Sequence, residues 1–209
     1  MNIFRKPFSY TYFNAVIILI IINAIVFAGG RLIPTLTTYL SMNPILVVKY
    51  GMVWQFFTYM FAHASYSHII FNMLALFVFG NQLEHYIGSK EFLLYYLLTG
   101  FLAGVFSFVV FMLTGAFNVF LLGASGALFA VQLAYASFFP DSVLYIWGIL
   151  PLRAPVMVLI FTAIELFSTI FQTGSGVAHL THLAGFGFGW LYFIVRFGSN
   201  PLRLMLRKR

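Results

Sequence analysis

The chain of 209 residues contains no cysteine, and only 7% of its residues are Asp, Glu, Lys or Arg. Soluble domains carry about 25% charged residues. A chain this poor in charge cannot cover a water-facing surface, so a soluble fold is excluded. Intrinsic disorder is excluded as well, because it needs low hydrophobicity and high net charge. Without cysteine, the chain forms no disulfide and offers no thiol nucleophile.

Apolar residues make up 62% of the chain and occur in long continuous runs. A transmembrane barrel would instead show segments of about ten alternating residues. The runs free of charge, apart from Glu165, are residues 7–30, 50–83, 92–140 and 154–195. A helix needs about 20 apolar residues to cross a bilayer. With breaks near 114–118 and 172–176, and the second span over about 66–84, the pattern predicts six spans.

We therefore predict an all-α membrane protein, a bundle of six transmembrane helices in a single domain over residues 1–209, with no soluble domain. The first apolar run is expected to be retained as a span, because it is longer than the core of a typical signal peptide. The non-spanning stretch 31–62 carries prolines and aromatic residues that suit a loop at the membrane interface.

The basic residues predict the orientation of the bundle, because cytoplasmic loops carry an excess of Lys and Arg. If the N-terminus is cytoplasmic, only Arg31 and Lys49 lie outside. The basic residues then inside are Arg5, Lys6, Lys90, Arg153, Arg196, Arg203, Arg207, Lys208 and Arg209. Both termini are therefore expected in the cytoplasm. The net charge of +7 is a topology signal, and no nucleic-acid partner is expected.

Polar groups inside a membrane are costly, and each one suggests a function. His63, His68, His179 and His182 map to the outer ends of the second and sixth spans. The segment 123–126, Gly-Ala-Ser-Gly, maps to the outer start of the fourth span. Three distant parts of the chain thus place polar groups at one depth, which predicts a site there.

A serine and a histidine are expected to meet at this site. His182, Gly185 and Gly189 share one helical face by spacings of three and four residues. Small residues let membrane helices approach closely, so packing against Gly126 and the alanines of the fourth span would bring His182 to Ser125. Such a pair is the nucleophile and base of serine hydrolysis. Taken alone, the Gly-Ala-Ser-Gly segment is more typical of close helix packing than of a nucleophile.

Two further polar groups and one acid need assignment. His68 and Asn72 lie four residues apart, so both donors face one side and could bind an oxyanion; a buried polar pair that joins helices is the alternative. Glu165 lies within the predicted fifth span and Glu84 at the inner end of the second, whereas Asp141 and Glu91 are expected in cytoplasmic loops. We favour a Ser–His dyad with Glu165 as a neutral or hydrogen-bonded structural residue; a triad through Glu165 stays open.

The combined motifs resemble those of the rhomboid intramembrane serine proteases in their minimal six-span bacterial form. The matching motifs are His63-x4-His68-x3-Asn72, Gly123-Ala124-Ser125-Gly126 and His182-x2-Gly185-x3-Gly189, and the resemblance covers about residues 50–195. It implies a serine endopeptidase of the bacterial inner membrane, multi-pass, that cleaves transmembrane segments of protein substrates near their outer end. It implies no cofactor and no metal. It leaves the oligomeric state open.

The resemblance also implies roles for individual residues. Ser125 would be the nucleophile, His182 the general base, and His68 and Asn72 the partners of the Ser125 N–H in the oxyanion pocket. Gly123 would open the pocket for the substrate side chain. His63 is expected to be structural or close to the substrate, Glu84 is expected to be structural, and His179 is not the base.

Three positions depart from the family pattern. Trp54 is followed by Gln55 where Arg is frequent, which would alter packing in the first external loop. Phe129 occupies a position where Tyr often stacks on the base, so the stacking face is kept and the hydroxyl is lost. Thr181 stands where Ala is common.

Two other functions are compatible with parts of the pattern. The four outer histidines could line a metal or proton path in a transporter, although sites for divalent metals usually use carboxylates and only Glu165 is available. A catalytically inactive relative that binds membrane clients is the other alternative. Such a protein should lack the nucleophile or the base, and this chain has both.

Overall fold

The computed structural model describes residues 5–146, 149–171 and 176–206. These residues are mostly helical, as predicted. Among them, the helices long and apolar enough to cross a membrane are α1 (Ala15–Leu32) and α7 (Ser89–Thr114). A third crossing results if the helical segments Gln55–Phe61 and Tyr66–Ile87, bent by 91° at their junction, count as one span. The predicted break at 172–176 lies almost wholly outside the described residues, as do Arg207, Lys208 and Arg209.

Helix α1 begins where another part of the chain satisfies its first backbone donors. Its N-cap residue, Asn14, makes no side-chain cap. The Glu84 carboxylate instead accepts hydrogen bonds from the backbone N–H of Ala15, at 2.6 Å, and Val16, at 2.9 Å. A carboxylate is favourable at the positive end of a helix dipole. The structural role expected for Glu84 therefore has a geometric basis.

The stretch predicted as an interfacial loop contains three short helices: α2 (Pro34–Leu40), α3 (Pro44–Tyr50) and α4 (Gln55–Thr58), the last continued by a 3-10 turn over Tyr59–Phe61. Proline at the first helical position is pre-organised for a helix. The Asn43 side chain caps α3 by accepting from the backbone N–H of Leu46 at 3.0 Å. The prolines and the Asn43 cap thus form helices in a stretch that was predicted to be a loop.

The second predicted span is close to its expected bounds. It runs as α5 (Tyr66–Ala75), a π-helical turn over Leu76–Gly80, and α6 (Asn81–Ile87). The Ser65 side chain caps α5 by accepting from the backbone N–H of His68 at 3.2 Å. The cap therefore fixes where the helix that carries His68 begins.

Helix α8 (Ser125–Phe138) lies at the centre of the bundle, packed against α7 and α10 (Gly176–Tyr192). Most of its side chains are buried. It is preceded by an irregular segment that starts at Gly115, whose φ of 74° ends α7 at the predicted break. The candidate nucleophile thus stands at the first position of the most enclosed helix.

At the end of the bundle where α7 begins, one feature was not predicted and one prediction is wrong. The connection from α8 to α9 (Ala154–Ile170) contains a short antiparallel hairpin, β1 (Val143–Ile146) and β2 (Leu150–Arg153), within an otherwise mostly helical fold. Glu91 is not in a loop: it lies buried in the first turn of α7. There it binds Arg196 through two hydrogen bonds of 2.8 and 2.9 Å. The loop assignment of Glu91 failed because Arg196, a partly buried partner from a distant part of the chain, compensates its charge.

Candidate active site

Ser125 and His182 are in direct contact, although 57 residues separate them in the chain. The Ser125 Oγ and His182 Nε2 atoms are 2.7 Å apart. Ser125 is the first residue of α8 and His182 lies in the first half of α10. A serine hydroxyl bonded to an imidazole nitrogen is the arrangement by which a base activates a nucleophile.

Glycines set the distance between α8 and α10. A Cβ atom added to Gly185 would overlap the Gly126 carbonyl group. One turn further, a Cβ on Gly189 would lie 2.7 Å from the Tyr95 hydroxyl and 2.9 Å from the Ala130 Cβ. These approaches exclude any larger residue at either position. The close packing carries His182 to the start of α8.

Phe129 packs against one face of the His182 ring. Its ring stacks on His182 with centroids 4.7 Å apart and planes inclined by 10°. Thr181, the neighbour of His182, bonds Ser107 of α7 through their hydroxyl groups at 2.6 Å. The histidine therefore has a packed ring face and an anchored backbone neighbour, which limits its rotation.

Gly123 lies against His68 in a backbone conformation that favours glycine. Its φ is +117°, and a Cβ atom there would be 2.6 Å from His68 Nε2 and 3.8 Å from Ser125 Oγ. His68 and Ser125 thus both lie close to Gly123, and both line the same cavity. The N-cap of α8, Ala124, provides no side-chain acceptor for the first N–H groups of the helix, and such groups have no partner within the helix itself.

Asn72 and His63 lie near His68 and have less direct relations to the dyad. Asn72 Nδ2 donates to the His68 carbonyl, one turn back in α5, at 3.0 Å. His63 is buried in the connection before α5, with its ring edge-on to His68 at 5.0 Å between centroids. A buried His63 that packs on His68 fits the expected structural role.

A cavity of about 430 Å³ opens beside the dyad. Its wall includes Ser125, His182, His68 and Asn72, the residues that sequence reasoning grouped together. Gln132 of α8, which that reasoning overlooked, also lines it. Its Oε1 atom is buried and makes no hydrogen bond within the described residues. Its position seven residues after Ser125, two helical turns along one face, was the available signal.

Trp54 lies away from the dyad. Its Nε1 donates to the Tyr39 carbonyl at 3.2 Å, and its ring packs on Tyr39. The adjacent Gln55 is fully buried: its Nε2 donates to the Tyr39 carbonyl at 3.1 Å, and its Oε1 accepts from the Asn43 N–H at 3.1 Å. The Gln55 amide, where the family often has Arg, thus links the start of α3 to the end of α2. Neither Trp54 nor Gln55 lines the cavity beside Ser125 and His182.

Glu165 of α9 is closer to the dyad than a purely structural role requires. Its Oε1 lies 3.0 Å from His182 Nδ1, and its Oε2 lies 2.5 Å from His179 Nδ1. These three residues are also the set, among the described ones, that could hold a metal ion. Ligands at about 2.0–2.1 Å from a tetrahedral zinc would stand more than about 3 Å apart. The shorter Glu165–His179 distance favours a direct hydrogen bond.

Comparison with known proteins gives one family. A model of the rhomboid domain matches residues 50–199. The putative rhomboid protease YdcA of Bacillus subtilis is 33% identical over 86 residues, 41% of each chain. The rhomboid protease GluP of the same species is 34% identical over 125 residues, 59% of this chain and 23% of that protein. The chain therefore spans less than half the length of these two relatives.

A third relative matches along most of its length. The rhomboid protease GlpG of Haemophilus influenzae is 28% identical over 170 residues, which is 78% of this chain and 81% of GlpG.

Proposed function

Because the chain belongs to the rhomboid family, we propose that it is an intramembrane serine endopeptidase that cleaves transmembrane segments of membrane proteins near their outer end. The observation that carries the proposal is the 2.7 Å contact between Ser125 Oγ and His182 Nε2 at the wall of a cavity. The family supplies the reaction class, and the contact supplies a nucleophile with its base.

The chemistry follows from this pair. Ser125 Oγ attacks the scissile carbonyl carbon while His182 Nε2 takes the hydroxyl proton. The tetrahedral intermediate collapses as His182 returns that proton to the leaving amine, which leaves an acyl ester on Ser125. Water then attacks the ester with His182 again as base, and the serine and the carboxyl product are released. No cofactor takes part in these steps.

Three donors are proposed for the oxyanion: the Ser125 N–H, His68 and Asn72. The Ser125 N–H is at an uncapped helix start, and His68 Nε2 lies beside Gly123. The Asn72 amide bonds a carbonyl of its own helix and must turn to reach the oxyanion. Because such donors stabilise charge that develops only in the transition state, they raise kcat more than they improve binding.

We propose that the reaction takes place within the membrane, below its non-cytoplasmic surface. At about 1.5 Å per residue, the 26 residues of α7 extend about 39 Å and the 14 of α8 about 21 Å. Their inner ends are level, since Phe138 packs on Tyr86 just before α7. Ser125 therefore starts well short of the outer end of α7. We also propose six spans, cytoplasmic termini and location in the bacterial inner membrane, as the apolar runs and the distribution of Lys and Arg predict.

The two alternative functions fit these contacts less well. In a histidine-lined transporter, the Ser125–His182 hydrogen bond and the glycine approach that creates it would serve no purpose. An inactive client-binding relative has no need for a base bonded to the serine. The cluster of Glu165, His179 and His182 could hold a metal ion, but the 2.5 Å distance between His179 Nδ1 and Glu165 Oε2 fits a direct hydrogen bond better than two ligands of one metal.

The test is cleavage of a transmembrane substrate with a small residue at the scissile position, in liposomes that contain the purified full chain. We expect Ser125→Ala and His182→Ala each to lower kcat by at least about 10³-fold. His85→Ala, at an exposed histidine near the opposite end, is the matched control and should retain activity. A fluorophosphonate probe should label wild type and not Ser125→Ala. Equal cleavage by Ser125→Ala, or a stable wild type that neither cleaves nor labels, would overturn the proposal.

A further inference from the structure

We propose that Glu165 is a positioning residue for His182, so that Ser125, His182 and Glu165 work together as a triad in which Glu165 itself takes up no proton. The inference rests on the proposed function and deepens it. The observation behind it is a partly buried carboxylate from α9 that faces the His182 nitrogen directed away from the serine.

The two nitrogens of His182 have different neighbours. Nε2 lies 2.7 Å from Ser125 Oγ, and Nδ1 lies 3.0 Å from Glu165 Oε1. To accept the serine proton at Nε2, neutral imidazole must carry its own proton on Nδ1. A carboxylate beside Nδ1 favours that tautomer, fixes the ring orientation and stabilises the imidazolium that forms during attack.

The charges around His182 make this carboxylate distinctive. Among the residues that the structure describes, Ser125 of α8, His68 of α5 and His179 of its own helix are polar groups that face it, and none of them is an acid. The other acids in the sequence are Glu84, Glu91 and Asp141. All three lie at the opposite end of the bundle. Glu165 is therefore the one carboxylate that can compensate a positive charge on this imidazole.

His179 holds the second oxygen of the carboxylate. Its Nδ1 is 2.5 Å from Glu165 Oε2. His179 and His182, three residues apart on α10, therefore both contact one carboxylate from α9. This contact orients Oε1 towards His182. It also accounts for a histidine that is neither the base nor a donor to the proposed oxyanion pocket.

The His182 contact is short but poorly aligned. Nδ1 and Oε1 are at ion-pair distance, yet the N–H direction of the ring misses the carboxylate, so Nδ1 makes no aligned hydrogen bond. Catalytic hydrogen bonds are often long or misaligned without substrate and tighten in the transition state. We therefore expect Glu165 to affect kcat rather than KM.

The experiment compares Glu165→Gln, Glu165→Asp and His179→Gln with wild type in the liposome assay. Measured quantities are kcat, KM, the fluorophosphonate labelling rate of Ser125 and the Tm. Asp141→Asn is the matched control, because it also removes one negative charge, but from the exposed Asp141–Arg153 ion pair in the hairpin region. It should match wild type in every quantity.

We expect Glu165→Gln to lower kcat and the labelling rate by about 10²-fold, with KM changed less than about threefold. The loss is smaller than the roughly 10⁴-fold effect of removing an aligned triad carboxylate, because the contact here is misaligned. Glu165→Asp keeps the charge and should recover part of the rate. His179→Gln should lower kcat several-fold by freeing the carboxylate.

Two results would overturn the inference. One is a wild-type kcat and labelling rate per folded molecule in Glu165→Gln, whatever its Tm. The other, which decides the question if Glu165→Gln does not fold, is a folded Glu165→Asp with full activity together with a fully active His179→Gln. An inactive, unlabelled wild type would instead contradict the proposed function. The two failures are therefore distinguishable.

Discussion

The two ends of the bundle bind their glutamates in different ways. At the end where α1 begins, Glu84 accepts from two backbone N–H groups and the Ser89 hydroxyl. Glu91 beside it accepts from Arg196, the Tyr192 hydroxyl and the backbone N–H of Phe8. At the other end, Glu165 faces two imidazoles and a 430 Å³ cavity lies beside the dyad.

The difference separates structural from chemical use of a buried carboxylate. A buried charge is stable only when it is paired and its lone pairs are filled. Amide, guanidinium and hydroxyl donors fill those lone pairs permanently, since they do not lose protons near neutral pH. Imidazoles exchange protons in that range. Glu84 and Glu91 can therefore only hold helices together, whereas Glu165 can respond to the charge on its partner.

Apart from removal of Ser125 or His182 themselves, the largest effect should come from Gly185→Ala at the cavity end. The added Cβ would overlap the Gly126 carbonyl, so α10 must move away from α8 and take His182 with it. We expect cleavage to fall by at least about 10²-fold, since a displacement of about 1 Å can reduce the rate that much. Liposome cleavage and Tm measure the effect.

Gly187→Ala is the matched control for this substitution. It lies two residues further along the same helix, and an added Cβ would meet nothing within 4 Å. Alanine favours a helix over glycine by about 1 kcal/mol, so stability should be unchanged or slightly higher. Similar losses in both variants would mean that flexibility of α10, rather than its distance from α8, determines activity.

Glu91→Gln should have the opposite pattern of effects, a loss of stability without a loss of activity. Removing one partner of a buried ion pair destabilises by about 3–5 kcal/mol, and Glu91 is 1% exposed. We expect a lower free energy of unfolding in detergent with an unchanged kcat per folded molecule. A fall in kcat at full stability would show that the two ends are coupled.

A double variant sharpens this prediction. Because Arg196 bonds both Glu91 oxygens, combining Glu91→Gln with Arg196→Met removes both charges. The combined loss should be smaller than the sum of the single losses, as for residues in one network. Additive losses would contradict the interpretation of the pair as a unit.

The meeting of Ser125 and His182 could be predicted because it depends on periodicity. Glycines three and seven residues after His182 define one helical face, and only close packing explains a face of that kind. The start of α5 and the break at Gly115 were predictable for the same reason, since local signals determine them. The comparison with the rhomboid domain covers these same segments.

The contacts of Glu165 and Glu91 were not predictable in this way. Both depend on how helices rotate against each other, which spacing within one helix does not report. The hairpin over 143–153 was missed because its short strands lie within a connection that was read only for charge. Gln132 was overlooked although its spacing of seven residues from Ser125 places both residues on one face of α8.

The smallest effect should come from Gln132→Leu in the cavity wall. Its Oε1 is buried without a hydrogen bond among the described residues, and the side chain is 8% exposed. Leaving such a group unpaired costs about 1–3 kcal/mol, so a leucine of similar size should raise Tm slightly. It should also shift kcat/KM a few-fold towards substrates with an apolar residue at the scissile position. A substrate series that varies only this residue measures the shift. An unchanged preference would mean that Gln132 does not contact the substrate side chain, and the polar character of the cavity would then belong to the dyad and the oxyanion donors alone.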